Sequence, residues 1–169
     1  MAAPASEPPR IRVAAAIPVA DGLVVVIQHK RGASYALLPG GGVARGESLA
    51  EALVREVREE IGLGISLDRL LLVNDTIAPD GSKHVVNLTF LAHAVTPIEE
   101  ISPRDPAIDA VEVVPLDRLA QLDLRPPIGR ELFATLTADE GLRAPAYLGS
   151  LWTPEPDRRD AGRGSDDAH

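Results

Sequence analysis

The feature that most constrains this chain is the segment from Gly41 to Leu63, in which a glycine-rich turn runs into an amphipathic helix. No glycine or proline interrupts residues 47–61. Ser48 and Glu51 have the spacing of a capping box, and Gly62 can end the helix in the left-handed conformation. Aliphatic residues recur at every fourth position, which is typical of one buried stripe: Leu49, Leu53, Val57 and Ile61.

Three glutamates lie beside this apolar stripe. Glu56, Glu59 and Glu60 are spaced i, i+3 and i+4, so at roughly 100° per residue their carboxylates share about a third of the helix circumference. Like charges at this spacing repel one another. They form either a solvated acidic face neutralised by Arg55 and Arg58, or a site for Mg²⁺ or Mn²⁺, which prefer hard oxygen ligands.

The glycine-rich entry to the helix favours the second interpretation. Leu38-Pro39-Gly40-Gly41-Gly42 leads into the helix, and backbone without side chains can approach a phosphate or a metal closely. Two other phosphate-binding motifs do not match. Glu47 stands where a Walker motif needs lysine, and Arg45 occupies the third glycine position of a dinucleotide-binding fingerprint.

The whole segment resembles the Nudix box, G-x5-E-x7-R-E-U-x-E-E-x-G-U, in which U is aliphatic. Every specified position is filled, from Gly41 and Glu47 through the run Arg55–Leu63. The resemblance implies an α/β fold, a Nudix-type α/β/α sandwich with a mixed central sheet, over roughly Arg10 to Leu136. It also implies an enzyme, a pyrophosphohydrolase that acts on nucleoside diphosphates linked to another moiety.

The same resemblance implies roles for individual residues. The cofactor is Mg²⁺ or Mn²⁺, and an ion pair between an arginine and a glutamate supports the site. The implied catalytic residues are Glu56, Glu59, Arg55 and Glu47. The implied metal ligands are Glu56, Glu59 and Glu60, with a carbonyl of Gly40 or Gly41.

The general base is left open, because members of the family differ in where it lies. Glu56 is one candidate, and it is favoured because Ala107 and Ala110 stand near the position where related sequences often place a glutamate. The other candidates are carboxylates in the loop before the last helix, any of which can equally be a solvated surface charge: Glu99, Glu100, Asp105, Asp109 and Glu112.

Four residues are predicted to contact the substrate, and each has a simpler alternative. Arg31 belongs to a basic trio that either holds phosphate or is a solvated strand edge. Asn87 either lines a polar site or lies on an outer strand face. Tyr147 and Trp152 either stack on a base or pack the chain end.

The resemblance favours ADP-ribose or a related nucleotide sugar as substrate, because ADP-ribose-cleaving members tend to carry a proline at the position of Pro79. That proline is also ordinary turn chemistry in Pro79-Asp80-Gly81. One alternative is a house-cleaning pyrophosphohydrolase of oxidised nucleoside triphosphates. Another is a catalytically silent nucleotide-binding regulator.

Composition limits the partners and the location. A net charge of −8 argues against a nucleic-acid duplex, the absence of cysteine excludes thiol chemistry, and no apolar stretch predicts a membrane span. We expect a cytoplasmic enzyme with a small nucleotide-type diphosphate substrate, and a homodimer is possible. Residues 10–153 are predicted to form one domain, between a flexible segment, 1–9, and a disordered tail, 154–169.

The remaining patterns predict mainly strands. A hairpin is expected to join Ile11–Val19 to Leu23–Gln28 through Asp21-Gly22. In the strand His84–Val95, one face carries Val85, Asn87, Thr89 and Leu91, and the other face is predicted to be the core: Val86, Leu88, Phe90 and Ala92. Further strands are expected at Tyr35–Leu38, Leu70–Ala78 and Ala110–Val114, a short helix after Pro115 and a last helix at Gly129–Thr137.

Overall fold

The computed structural model describes residues 7–20, 22–138 and 145–154. In this part of the chain a five-stranded mixed sheet has the order β5-β1-β7-β6-β9. Its strands are β1 (Arg10–Ala16), β5 (Gly40–Gly42), β6 (Ile65–Ile77), β7 (His84–Ala94) and β9 (Ala146–Ser150). A four-stranded sheet, in which β3 pairs with the other three strands, contains β2 (Pro18–Val19), β3 (Gly22–Lys30), β4 (Ala33–Leu37) and β8 (Ala110–Val114).

Two helices accompany the sheets, α1 (Leu49–Ile61) and α2 (Gly129–Leu136), together with short 3₁₀ helices at Ile98–Glu100 and Leu116–Gln121. No helix in the described ranges has the length and apolar character needed to cross a membrane.

Consecutive residues of β1 face two different cores. Val13 and Ala15 belong to the cluster that contains the buried side of α1, whereas Ala14 and Ala16 belong to the cluster that contains Leu132 of α2. Strand β3 divides its residues in the same way. A strand buried on both faces is apolar at every position, which explains the continuous apolar runs. The arrangement confirms the predicted α/β fold with a mixed sheet.

The ends of α1 agree with the sequence signals. The Ser48 Oγ accepts a hydrogen bond from the backbone N–H of Glu51 at 3.2 Å, and the Glu51 carboxylate accepts one from the Ser48 N–H at 2.8 Å. Gly62 ends the helix with a φ of 76°, in the left-handed region that favours glycine. The capping box therefore fixes the direction in which the helix leaves the glycine-rich turn.

The predicted hairpin between Ile11–Val19 and Leu23–Gln28 is wrong for most of its length. Only the two residues of β2 pair with β3, while β1 pairs with β5 and β7 in the other sheet. The apolar run contains Pro18, which lies just after the end of β1, and the chain passes from one sheet to the other at this point. The segments on either side of this crossing are both apolar because both are buried. Composition therefore did not show that they belong to different sheets.

The assignment of the core face of β7 also needs correction. The face carrying Val85, Asn87, Thr89 and Leu91 is buried at all four positions, and Asn87 is only 4% exposed. On the opposite face, predicted to be the core, Val86, Leu88 and Phe90 are partly buried, while Ala92 is buried. Both faces are covered, and the polar residues lie on the more enclosed one.

Strand β9 was not predicted from the sequence. It pairs in parallel with β6 at the sheet edge, and the N–H of Leu151 then donates to the carbonyl of Asp75 at 2.8 Å. Strand β5 was not predicted either, because its three glycines were expected to form a loop. Strands β3, β4, β7 and β8 and helix α2 lie where the patterns predicted them, within a few residues, whereas β6 begins five residues early. Residues 1–6 and 155–169 lie outside the described ranges, so the flexible segment and the tail stay predictions.

Candidate active site at the glutamate helix

Arg55 forms ion pairs with Glu47, which precedes α1, and with Glu56 and Glu59 on α1. Its Nε and Nη2 donate to the two carboxylate oxygens of Glu47 at 2.7 and 2.9 Å, a bidentate ion pair. Its Nη1 donates to Glu56 at 2.8 Å and to Glu59 at 3.2 Å, and its Nη2 also reaches the carbonyl of Gly42 at 3.2 Å. The hydrogen bonds from Arg55 and from a backbone N–H lower the pKa of Glu47 to about 2, so Glu47 is ionised at neutral pH.

Glu60 is separated from this ion-pair group and turned toward the glycine loop. Its Oε2 accepts a hydrogen bond from the N–H of Gly40 at 2.7 Å. Burial raises the pKa of Glu60 to about 7, against the opposing effects of that hydrogen bond and of Arg12. The charges of Glu56 and Asp105 add to the increase. A carboxylate that is costly to ionise in this way is stabilised when a cation binds beside it.

The glycine loop packs directly against the helix glutamates. A Cβ on Gly41 would lie 2.3 Å from the Cδ of Glu56, and a Cβ on Gly40, whose φ is 145°, would lie 2.1 Å from the carbonyl oxygen of Val13. At Gly40 the obstacle is backbone, so no side chain fits, whereas at Gly41 it is the end of the Glu56 side chain, which would have to move. The Gly-Gly sequence is therefore needed to bring a backbone amide and a carboxylate-lined helix face together.

The residues at this site fit a divalent cation by their chemistry. Three carboxylates lie on one helix face beside backbone carbonyls, and these are the hard oxygen donors that Mg²⁺ and Mn²⁺ prefer. In the described ranges, however, no group of three His, Asp or Glu side chains is arranged to hold a metal ion. Mg²⁺ commonly uses only one or two carboxylates together with waters and substrate phosphates.

Arg12 connects this site to a pocket, and the sequence analysis did not identify it. Its Nη2 donates to the carbonyls of Leu38 and Gly40 at 3.1 and 3.2 Å. Burial lowers the pKa of Arg12, while the negative charges of Glu60 and Glu56 act in the opposite direction. The available signal was a single arginine inside an apolar run that forms a buried strand, a position where a charge needs partners.

The pocket beside Arg12 has a volume of about 190 Å³ and lies between the sheet and the chain segment after β9. Asn87 lines it, and its amide nitrogen donates to the Thr76 hydroxyl at 3.0 Å. The guanidinium of Arg125 lies 4.3 Å from the centre of the Tyr35 ring, in cation–π contact. Trp152 adds a second aromatic side chain to the wall.

The structure separates the four predicted substrate residues into two groups. Asn87 and Trp152 both line the pocket. Arg31 lies at the turn between β3 and β4, with a φ of 54°, and is not among the lining residues. Tyr147 lies on β9, where it is 66% exposed and donates its hydroxyl to Asp75 at 2.5 Å. The structure therefore brings two of the four predicted residues, Asn87 and Trp152, to the pocket. Lys30, which precedes Arg31 in the chain, lines the pocket in place of Arg31.

The loop carboxylates are not equivalent either. The charge of Asp105 contributes to the raised pKa of Glu60, and the N–H of Arg104 donates to the backbone carbonyl of Glu60 at 2.8 Å. Asp105 is thus close to the helix site. Glu112 is exposed on β8, and Glu99 and Glu100 lie in the 3₁₀ helix after β7. The N–H of Asp109 pairs with the carbonyl of Ile27 in β3.

The site places a carboxylate-rich helix next to a glycine loop in an α/β fold, and comparison with known proteins identifies the family. The model of the NUDIX domain matches residues 9–136, so this chain belongs to the NUDIX family of hydrolases.

Individual relatives agree with this assignment. A segment of 58 residues is 40% identical to the ADP-ribose pyrophosphatase of Methanocaldococcus jannaschii, and it spans 34% of this chain and 34% of that protein. A MutT NUDIX hydrolase from Burkholderia pseudomallei is 31% identical, with a TM-score of 0.60, over 78% of this chain and all of the other. An ADP-ribose pyrophosphatase from Streptococcus suis is 25% identical, with a TM-score of 0.61, over 86% of this chain and 100% of its own.

Proposed function

We propose that this chain hydrolyses the pyrophosphate bond of a nucleoside diphosphate linked to another moiety, with ADP-ribose or a related nucleotide sugar as the favoured substrate. The observation that carries the proposal is the position of Arg12. It lies in the electrostatic field of Glu60 and Glu56 and also lines the pocket with Asn87 and Trp152. A diphosphate bound at this boundary has its scissile bond beside the glutamates and one attached group in the pocket.

The proposed cofactor is Mg²⁺ or Mn²⁺, held by Glu56, Glu59 and Glu60 with a carbonyl of the glycine loop. Such an ion lowers the pKa of coordinated water and neutralises charge on the leaving phosphate. Arg55 positions Glu56 and Glu59 through its ion pairs, and Glu47 holds Arg55 in that orientation. Glu56 and Asp105 are the two candidates to accept the proton of the attacking water, since each lies close enough to affect the pKa of Glu60.

Arg12 has a separate role in this proposal. Its guanidinium is partly buried and is fixed by two carbonyls of the loop that carries Gly40, so its charge is already in place before the substrate binds. A fixed cation beside a developing phosphate charge stabilises the transition state without reorganisation. Its attachment to the loop also keeps Gly40 in position to donate its N–H to Glu60.

The substrate preference has independent support. Two similar proteins, from Methanocaldococcus jannaschii and Streptococcus suis, are named ADP-ribose pyrophosphatases. Pro79 lies in the loop between β6 and β7, and this loop also supplies Lys83 to the pocket wall. The stacked pair of Arg125 and Tyr35, with Trp152, offers flat surfaces suited to a nucleobase.

Product analysis tests the proposal directly. Purified protein is incubated with ADP-ribose and Mg²⁺, and we expect AMP and ribose 5-phosphate in equal amounts. A panel of nucleoside triphosphates distinguishes the alternative, since a house-cleaning enzyme releases pyrophosphate from them. Glu60→Gln is the inactive control. Faster cleavage of an oxidised triphosphate than of every diphosphate-linked nucleotide would contradict the proposal, as would a complete lack of hydrolysis with both Mg²⁺ and Mn²⁺. The cytoplasmic location and the homodimer stay predictions.

A further inference from the structure

The segment that follows β9 forms one wall of the pocket. Leu151, Trp152 and Thr153 come directly after the strand, and all three line the pocket. Strand β9 lies at the edge of the five-stranded sheet, where it pairs in parallel with β6. An edge strand has a partner strand on one side alone, so it is held by fewer backbone hydrogen bonds than an inner strand. The position of this wall therefore depends on the contacts between β9 and β6.

Asp75 of β6 makes two such contacts. Its backbone carbonyl accepts a hydrogen bond from the N–H of Leu151 at 2.8 Å, one residue before Trp152. Its carboxylate accepts one from the hydroxyl of Tyr147 at 2.5 Å, near the start of β9. This hydrogen bond raises the pKa of Tyr147, so the hydroxyl keeps its proton at neutral pH and donates it to the carboxylate, an arrangement that makes a strong hydrogen bond. Asp75 thus contacts the strand near its start and just after its end.

The carboxylate of Asp75 lies on the face of the sheet that is turned away from the pocket. Neighbouring residues of a strand point to opposite faces, and Thr76 lines the pocket whereas Asp75 does not. The same holds in β7, where Val85 lines the pocket and the preceding His84 does not. The Nε2 of His84 lies 3.3 Å from the second carboxylate oxygen of Asp75. Tyr147 does not line the pocket either, so these side chains can affect a bound ligand only through the position of β9.

We propose that Asp75 is a positioning residue for the pocket: together with Tyr147 it holds β9 on β6 and so keeps Trp152 at the pocket wall. The effect on substrate rests on the proposed function, whereas the position of Trp152 can be tested without any hydrolysis. Loss of the contact lowers the fraction of molecules in which Trp152 is in place, and the apparent affinity falls by that fraction. Saturating ligand restores this fraction, so KM should change and kcat should not.

Trp152 is the single tryptophan of the chain, so its fluorescence reports the position of this wall. The first measurement is quenching of that fluorescence by acrylamide in the ligand-free protein, below the melting temperature of each variant. We expect the quenching constant of Tyr147→Phe and of Asp75→Ala to rise from the wild-type value toward that of free N-acetyltryptophanamide. The double variant should show no larger increase than Asp75→Ala alone, because both changes remove the same hydrogen bond. Saturating AMP should bring the quenching of Tyr147→Phe back toward the wild-type value.

The second measurement is the hydrolysis of ADP-ribose with Mg²⁺. Tyr147→Phe keeps the aromatic ring and loses one hydroxyl, so the variant should fold. We expect its KM to rise by about three- to tenfold, the size expected for one lost hydrogen bond, and its kcat to stay within about twofold of the wild type. A change that merely lowered the stability of the fold would reduce the melting temperature without altering KM or the quenching of Trp152.

Asp68→Ala is the matched control. Asp68 lies on the same strand, and its carboxylate has a similar contact, to the Nε2 of His93 at 3.2 Å. It does not line the pocket and is not paired with β9. This variant removes the same charge as Asp75→Ala and should leave quenching, KM and kcat at their wild-type values.

The outcomes separate this inference from the proposed function. Wild-type quenching in Tyr147→Phe would overturn the inference, because β9 would then be held without the hydroxyl. Increased quenching with an unchanged KM for ADP-ribose, or a reduced kcat at unchanged KM, would also overturn it and leave the proposed function intact. Increased quenching that AMP reverses, in a protein that cleaves no diphosphate-linked nucleotide, would support the positioning role and contradict only the proposed function.

Discussion

Two arginines neutralise different members of the glutamate group. Arg55 makes direct ion pairs with Glu47, Glu56 and Glu59, whereas the charge of Arg12 acts on Glu60. The repulsion that the sequence indicated on this helix face is therefore partly offset by the protein itself. The interpretation as a neutralised acidic face is correct in part, because Arg55 does neutralise part of it, and the metal site stays a prediction. The described contacts of Arg58 do not include an ion pair with these glutamates.

Replacing Arg55 with lysine tests its positioning role. Lysine keeps the charge but loses the planar fork that contacts three carboxylates and a carbonyl. We expect a kcat reduced by about tenfold or more, a nearly unchanged melting temperature and an increased requirement for Mg²⁺. Arg58→Lys, on the same helix, is the control and should retain full activity. An Arg55→Lys protein with wild-type turnover would show that Arg55 does not orient the glutamates.

The choice of general base is tested by comparing Glu56→Gln with Asp105→Asn. Loss of a general base typically costs about 10² to 10⁴ in rate, and added metal does not restore it. We expect this result for Glu56→Gln, and less than about a tenfold loss for Asp105→Asn. The measurement is kcat across a series of Mg²⁺ concentrations, with Glu112→Gln as the exposed control. Rescue of Glu56→Gln by excess Mg²⁺ would make Glu56 mainly a ligand, and a roughly thousandfold loss in Asp105→Asn would place the base in the loop.

At the scale of secondary-structure elements, the glycine loop and α1 act as one unit. The loop provides β5, which pairs with β1, and its glycines leave room for the glutamates of the helix. Gly40 donates to Glu60, and Gly42 accepts from Arg55. Each of these two contacts joins the glycine loop to the helix. The number of residues between the glycines and the glutamates must therefore allow the chain to turn back and make both contacts.

Adding a single methyl group to this loop tests the coupling. In Gly41→Ala the new Cβ would lie 2.3 Å from the Glu56 carboxylate, so this flexible side chain has to move. We expect a folded protein with its turnover reduced by at least about tenfold, because displacement of a catalytic group by about 1 Å can cost 10²-fold. Gly42→Ala is the matched control, since its Cβ would meet only the end of the Arg10 side chain at 3.5 Å. Full activity in Gly41→Ala would show that the position of Glu56 is not critical.

At the scale of the whole molecule, the features predicted correctly from the sequence are those that depend on residues close together along the chain. The cap at Ser48, the stripe on α1 and the stop at Gly62 are local, and all three are confirmed. Contacts between distant segments were not predictable in this way. The pocket joins Arg12, Asn87 and Trp152 from three separate parts of the chain, and β9 pairs with β6 at the edge of the sheet, far from it in sequence.

The alternation of apolar and polar residues failed for a related reason. In β7 the face that carries Asn87 and Thr89 was not predicted to be the core, but both residues are buried. Alternation along a strand shows that its two faces differ in polarity. When both faces are covered by other parts of the protein, it does not show which face is the more buried. The pairing partners of β1 were missed because β1 and β3 are buried runs of similar composition that are separated only by residues 17–21.

The stability of the whole fold should depend on pH through Glu60. Its pKa in the folded protein is about 7, above the usual 4.5, so the folded state binds more protons than the unfolded state between these values. The metal-free protein should therefore lose stability as the pH rises from about 4.5 to 7, and Glu60→Gln should not show this loss. At pH 8 we expect the metal-free variant to be at least as stable as the wild type in urea unfolding.

Addition of Mg²⁺ should reverse that order, because an ion that binds only the folded state stabilises it by mass action. The melting temperature of the wild type at pH 8 should rise with Mg²⁺ concentration, and that of Glu60→Gln should rise much less. Glu112→Gln removes an exposed carboxylate of the same size and should behave like the wild type in both conditions. If Mg²⁺ stabilised the wild type and Glu60→Gln equally, Glu60 would not be a metal ligand. A wild-type protein whose metal-free stability does not fall between pH 4.5 and 7 would show that the pKa of Glu60 is not raised.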